Sequence, residues 1–195
     1  MTGVQTCALP IYQISSKEQL IGYCKEIVRA DGLQAISIRS VAKKAGMSVG
    51  AVYNYFPSKG ELLAETIGSI WSEIFHFSEE TFHFDDFTKC LEALLQSVEQ
   101  GKAIYPDFFS SHALVMAFDD KIMGSKMMER YWQHIKQALL NALTQDKKIR
   151  ENVFDSHLTS ERYVEYVFEL FLYTMTNDGS YKGILKLVRN SIYAE

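Results

Sequence analysis

The stretch Ser37 to Leu63, SIRSVAKKAGMSVGAVYNYFPSKGELL, holds two short helices, a tight turn between them and the start of a third. Val41, Ala42 and Ala45 recur with the one-sided spacing of a helix over Arg39 to Ala45, and Ser37 stands ahead of it as a cap. Gly46 ends that helix, because glycine reaches the left-handed conformation that closes a helix without steric cost. Ser48 can cap a second helix beginning Val49, Gly50, Ala51, residues small enough to bring the backbone close to another molecule. Tyr53, Asn54 and Tyr55 follow, Phe56 and Pro57 break the helix, and Ser58 opens the next with Glu61 as the partner of a capping box. The pattern is a helix-turn-helix.

Such motifs lay the start of the second helix in the major groove, where small side chains permit approach and polar ones reach bases or phosphates. Ser48, Tyr53, Asn54 and Tyr55 supply hydroxyl and amide groups, and Arg39, Lys43, Lys44 and Lys59 add positive charge. Lys59 stands beside a helix N-terminus, where backbone N–H groups favour a phosphate. Val41, Ala42, Val52 and Phe56 read as core of a three-helix unit, and Lys43 and Lys44 also fit a solvated face.

From Ser16 to Leu63 the chain resembles the DNA-binding domain of the TetR family of transcriptional regulators. The resemblance is carried by Cys24 as the small residue of the first helix, Asp31-Gly32, Ser37-Ile38, Val41-Ala42 and Ala45-Gly46. It continues through Ser48, Gly50, Tyr53, Tyr55-Phe56, Ser58-Lys59 and Leu62-Leu63. Gly60 departs from it, standing where the family usually has an acidic residue, and is expected to loosen the first turn of its helix. The resemblance implies DNA-contacting groups at Tyr53, Tyr55 and Lys59, within a DNA-facing set of Ser37, Arg39, Ser48, Val49, Gly50, Ala51, Tyr53, Asn54, Tyr55 and Lys59. It also implies an all-α protein of about nine helices that works as a homodimer on an operator in double-stranded DNA.

A net charge of −4 argues at first against a DNA-binding protein, but the charge is unevenly spread. Residues 16 to 61 carry seven Lys/Arg against four acids, and the remainder thirteen against twenty, so the basic footprint is local. The 195 residues, 47% hydrophobic, suffice for a sizeable core. No run approaches the roughly 18 apolar residues of a membrane span. Cys7, Cys24 and Cys90 have no paired spacing, which fits a reducing cytoplasm. The first eleven residues, MTGVQTCALPI, lack the features of a secretory signal and resemble a translated sequencing-adapter remnant, so they are set apart as a non-native leader.

The domain expected over residues 12 to 62 is followed by a helical domain over 63 to 195. Leu62/Leu63, Thr66/Ile67, Ile70/Trp71 and Ile74/Phe75 recur every four residues, and no Pro or Gly linker separates them from the first domain. Further helices are expected from Phe87 to near Gly101, over Asp107 to Phe118, through Met127/Met128 to Leu143, from Tyr163 to Thr174, and from Tyr181 to Tyr193. Phe108, Phe109, His112, Met116, Tyr131, Trp132, Phe168 and Met175 suit an apolar cavity for a small-molecule effector, although at helical spacing such residues more commonly form core. The last two helices offer a dimer surface through Tyr166, Leu170, Tyr173, Ile184, Leu185 and Val188, with packing inside the chain as the competing use.

Enzymatic signatures are missing. Gly101-Lys102 lacks the earlier glycine and the following hydroxyl of a phosphate-binding loop, and the five histidines show no metal-ligand spacing. Asp85-Asp86 and Asp119-Asp120 read as helix-start and loop charges. The expectation is a ligand-responsive repressor with no cofactor, no metal, no membrane partner and no catalysis. Its rival is a helical ligand-binding or enzymatic bundle whose N-terminal unit mediates protein contacts.

Overall fold

The computed structural model describes residues 16–75, 85–109, 124–177 and 180–193, with the side chains of 124–128 left aside. The leader, Asp119-Asp120, His112 and Met116 lie outside these residues, as does the 110–118 portion of the helix expected from Asp107. Of that stretch Asp107, Phe108 and Phe109 are described, and they form turns. The described residues make eight α-helices and one short 3-10 turn, with a lone bridge between Ile149 and Tyr193. The protein is all-α.

Helix α1 (Lys17–Asp31) begins where the Ser16 hydroxyl accepts the Gln19 N–H. It buries Leu20, Cys24, Ile27 and Val28 along one stripe. Helix α2 (Ile38–Ala45) starts in a full capping box: the Ser37 hydroxyl accepts the Ser40 N–H at 3.0 Å, and the Ser40 hydroxyl accepts the Ser37 N–H at 2.9 Å. Gly46 closes α2 at φ 66°, ψ 28°, left-handed as its sequence position implies. Helix α3 (Val49–Tyr53) is capped by Ser48, whose hydroxyl accepts the Ala51 N–H. Val41, Ala42, Val52 and Phe56 are buried, so the three short elements share one small core.

Helix α4 (Lys59–Phe75) runs unbroken out of this unit and buries ten residues along its length. The boundary expected between residues 62 and 63 therefore falls inside a single helix. Beyond it stand α5 (Phe87–Ile104), α6 (Gly124–Gln145), α7 (Ser160–Thr176) and α8 (Lys182–Ile192). α4 packs on α1, α5 and α6, and α7 packs on α6.

Gly101 is not the stop expected of it, since α5 continues to Ile104. It is a site of close approach, where an added Cβ would meet the Phe109 ring at 3.0 Å and Ile74 at 3.1 Å. The far end of the bundle is tied by Asp146, which accepts the Phe87 N–H and the Lys148 N–H, both at 2.9 Å, and the Tyr193 hydroxyl. Lys102 donates to the Thr174 and Asn177 carbonyls at 2.8 and 3.2 Å, satisfying acceptors at the C-terminal end of α7.

Candidate nucleic-acid interface

The outer side of the helix-turn-helix carries most of the expected contact residues. Arg39, Ser48, Val49, Gly50, Tyr53, Asn54 and Lys59 are exposed, whereas Ala51 and Tyr55 are half-buried. Val49 and Tyr53 stand out because large apolar groups here lie 40% and 49% open to solvent. Ser37 is half-buried and its hydroxyl is engaged in the capping box, so its evident task is to start α2. The Ser48 hydroxyl is likewise engaged at the start of α3.

The structure redistributes the positive charge. Lys44 pairs with Glu26 at 2.9 Å, Lys25 and Arg29 pair with Glu73 at 2.7 and 2.6 Å, and Lys17 pairs with Glu65. Arg39, Lys43 and Lys59 are in no ion pair among the described residues. Within this unit the cations outside ion pairs thus lie on the α2–α3 side and at the first residue of α4. Sequence reading misses this because the partners of Lys17, Lys25 and Arg29 lie more than forty residues away, beyond any local pattern.

The pairs of Lys17, Lys25 and Arg29 form the junction between α1 and α4. Glu73 also accepts the Tyr105 hydroxyl at 3.0 Å, and the Arg29 guanidinium lies 4.9 Å from the centre of the Tyr105 ring. Partial burial alone would raise the Glu73 carboxyl; the hydrogen bonds from Lys25, Tyr105 and Arg29 outweigh it and hold the group below the usual carboxylate range. Tyr105 ends α5 and precedes Phe108 and Phe109, so the aromatic interior is linked through one carboxylate to the first helix of the DNA-binding unit. A cleft of about 440 Å³ opens beside this junction, lined by Lys17, Lys25, Glu65, Ser69, Ser72 and Tyr131 among others.

The residues expected to line an effector cavity do converge, but as packed core. Phe108, Phe109, Trp132, Phe168 and Met175 are all buried, and Tyr131 is half-buried, lining the cleft above. Phe108, Phe109 and Trp132 surround Trp71 of α4 at ring-centre distances of 5.2, 5.5 and 5.3 Å, and Phe168 follows 5.6 Å from Trp132. Trp71 falls outside the expected set because its four-residue spacing marks it as helix core. Cys24 and Cys90 are buried, which pushes their thiols up to about 11 and about 12 and keeps them protonated.

On α7, Tyr166 and Tyr173 are 55% and 60% exposed and Leu170 between them is half-buried, one stripe at helical spacing. On α8 the expected set mixes two faces. Val188 is fully buried within the chain, on the inward stripe with Leu185 and Ile192, and is corrected out of an outward surface. Leu187, which the sequence reading omits, is 59% exposed and lies next to half-buried Ile184 on the outer side.

A capped helix-turn-helix with a solvent-open second helix and exposed cations beside it defines a helix-turn-helix DNA-binding protein. The family model described as bacterial regulatory proteins, tetR family, matches residues 25–66. Residues 25–66 thus carry a DNA-binding segment of the TetR-family type. Among curated proteins it is 34% identical over 62 residues to the HTH-type transcriptional repressor KstR of Mycobacterium tuberculosis, covering 32% of this chain and 28% of that protein. It is 24% identical over 124 residues to the nucleoid occlusion factor SlmA of Glaesserella parasuis, covering 62% of this chain and 60% of the relative. The match thus spans less than two thirds of each relative. The solved structure of the multidrug binding protein EbrR complexed with imidazole shares the fold at TM-score 0.60 and 12% identity, over 91% of this chain and 95% of that one.

Proposed function

We propose that the protein is a cytoplasmic, homodimeric repressor that binds a palindromic operator and is released from it by a small, largely apolar effector. The observation that carries this reading is the unbroken α4, which starts at exposed Lys59 beside the recognition helix and ends among the aromatic residues of the second domain. A molecule bound among those rings would act on the same rigid body that positions the DNA-facing surface.

Two copies related by a two-fold axis would set their recognition helices roughly 34–36 Å apart, matching half-sites one helical turn apart. Exposed Tyr166 and Tyr173 with half-buried Leu170 and Ile184, extended by exposed Leu187, are the proposed dimer surface. The effector would favour the conformation in which the two recognition helices are wrongly spaced, and only that difference in affinity can release DNA. KstR is named a repressor and EbrR a multidrug binding protein, which supports this choice of mode and of ligand type.

The test is operator binding by the full chain to DNA from upstream of its own gene, followed as salt is raised. Lys59→Ala should weaken binding and lower the salt slope by about one phosphate's worth, and Tyr53→Phe should weaken it with the slope kept. Wild-type affinity and slope in both variants would remove the proposed contacts, and absence of any footprint on that DNA would remove the reading itself.

A further inference from the structure

Trp71 is fully buried, and its indole Nε1–H has no hydrogen-bond partner among the described residues. Its ring is stacked on Phe75 at 5.4 Å and flanked by Phe108, Phe109 and Trp132. Aromatic faces accept hydrogen bonds only weakly. Two nearby hydroxyls are satisfied: that of buried Thr66 by the Leu62 carbonyl at 2.7 Å, and that of half-buried Tyr131 by the Gly68 carbonyl at 3.0 Å. A buried N–H without an acceptor destabilises the empty protein and calls for an explanation.

We propose that the Trp71 indole N–H is the polar anchor of the effector site, donating to a carbonyl, ether or ring-nitrogen acceptor on a flat, otherwise apolar molecule. The inference rests on the reading that the aromatic interior of the second domain takes the effector, and adds the chemistry that selects it. Rings on several sides favour a planar ligand, and an unsatisfied donor favours an acceptor, so a pure hydrocarbon of the same shape is discriminated against. Trp71 also has the right address. It lies twelve residues along α4 from Lys59, about 18 Å of helix, and two residues before Glu73. A ligand seated on this donor therefore presses on the output helix beside its junction with α1.

The experiment compares fluorenone, a planar ketone, with fluorene, its hydrocarbon counterpart, by equilibrium dialysis against the full-length protein and Trp71→Phe. The wild type is expected to prefer the ketone by roughly tenfold, a preference lost in Trp71→Phe, which keeps a ring and removes the donor. In nitrogen-15 spectra of the wild type, the Trp71 indole N–H resonance should move downfield with fluorenone and not with fluorene, a readout that needs no variant to fold. Equal affinity for the two probes, or a preference that survives in Trp71→Phe, overturns the anchor while leaving the apolar site in place. Binding of neither probe overturns both.

Discussion

Gly32 holds φ 77° and ψ 171°, a combination that glycine alone adopts without strain, and a Cβ there would stand 3.2 Å from the Asp107 carboxylate. Gly32→Ala is therefore expected to cost about 1–3 kcal/mol, seen as a lower urea midpoint. Gly22→Ala, in the middle of α1 with nothing within 4 Å of the added carbon, should stabilise the fold by up to about 1 kcal/mol and raise the midpoint. Gly32 and Gly46 are legible as helix ends because chain termination is a local event. Gly101 is not, because its role is set by Phe109 and Ile74, which arrive from other elements.

Helix starts are the most readable elements, and Asp86 shows why. Its carboxylate caps α5 by accepting the Lys89 N–H at 3.0 Å, and it also accepts from the Thr88 hydroxyl at 2.8 Å and from Lys148 at 2.9 Å. Burial alone would raise this carboxyl, but these hydrogen bonds outweigh it and hold it at about 2, below the ordinary 3.8. A carboxylate depressed in the folded state contributes stability that is fully present above about pH 4 and is lost as pH falls toward about pH 2. Asp86→Ala should lower stability near neutral pH by about 1 kcal/mol and flatten the loss on acidification, as urea midpoints at about pH 7 and about pH 3 would register. The orientation of α8 is less readable. Ile184, Leu185, Leu187 and Val188 are all apolar, so periodicity alone does not say which pair faces the core.

For the molecule as a whole, the charge split between the two halves is legible in the composition, whereas its neutralisation by long-range pairs is not. Four of the seven basic side chains of residues 16 to 61 are engaged inside the protein, which leaves a narrower cationic surface than the tally suggests. The outward tyrosines of α7 offer the test of assembly. Replacing Tyr166 and Tyr173 together by Glu should shift the protein to monomer in size-exclusion chromatography and abolish high-affinity operator binding. Its melting temperature at fixed oligomeric state should hardly change, since both side chains are mostly in solvent.

The junction at Glu73 places three donors on one acceptor. Such an arrangement is tolerant on one side and brittle on the other. Loss of Lys25 or Arg29 singly leaves two donors on Glu73, so single replacements there will understate what the junction is worth. The carboxylate has no understudy. The contact between the end of α5 and the first helix can thus be retuned from the cationic side and broken from the anionic one.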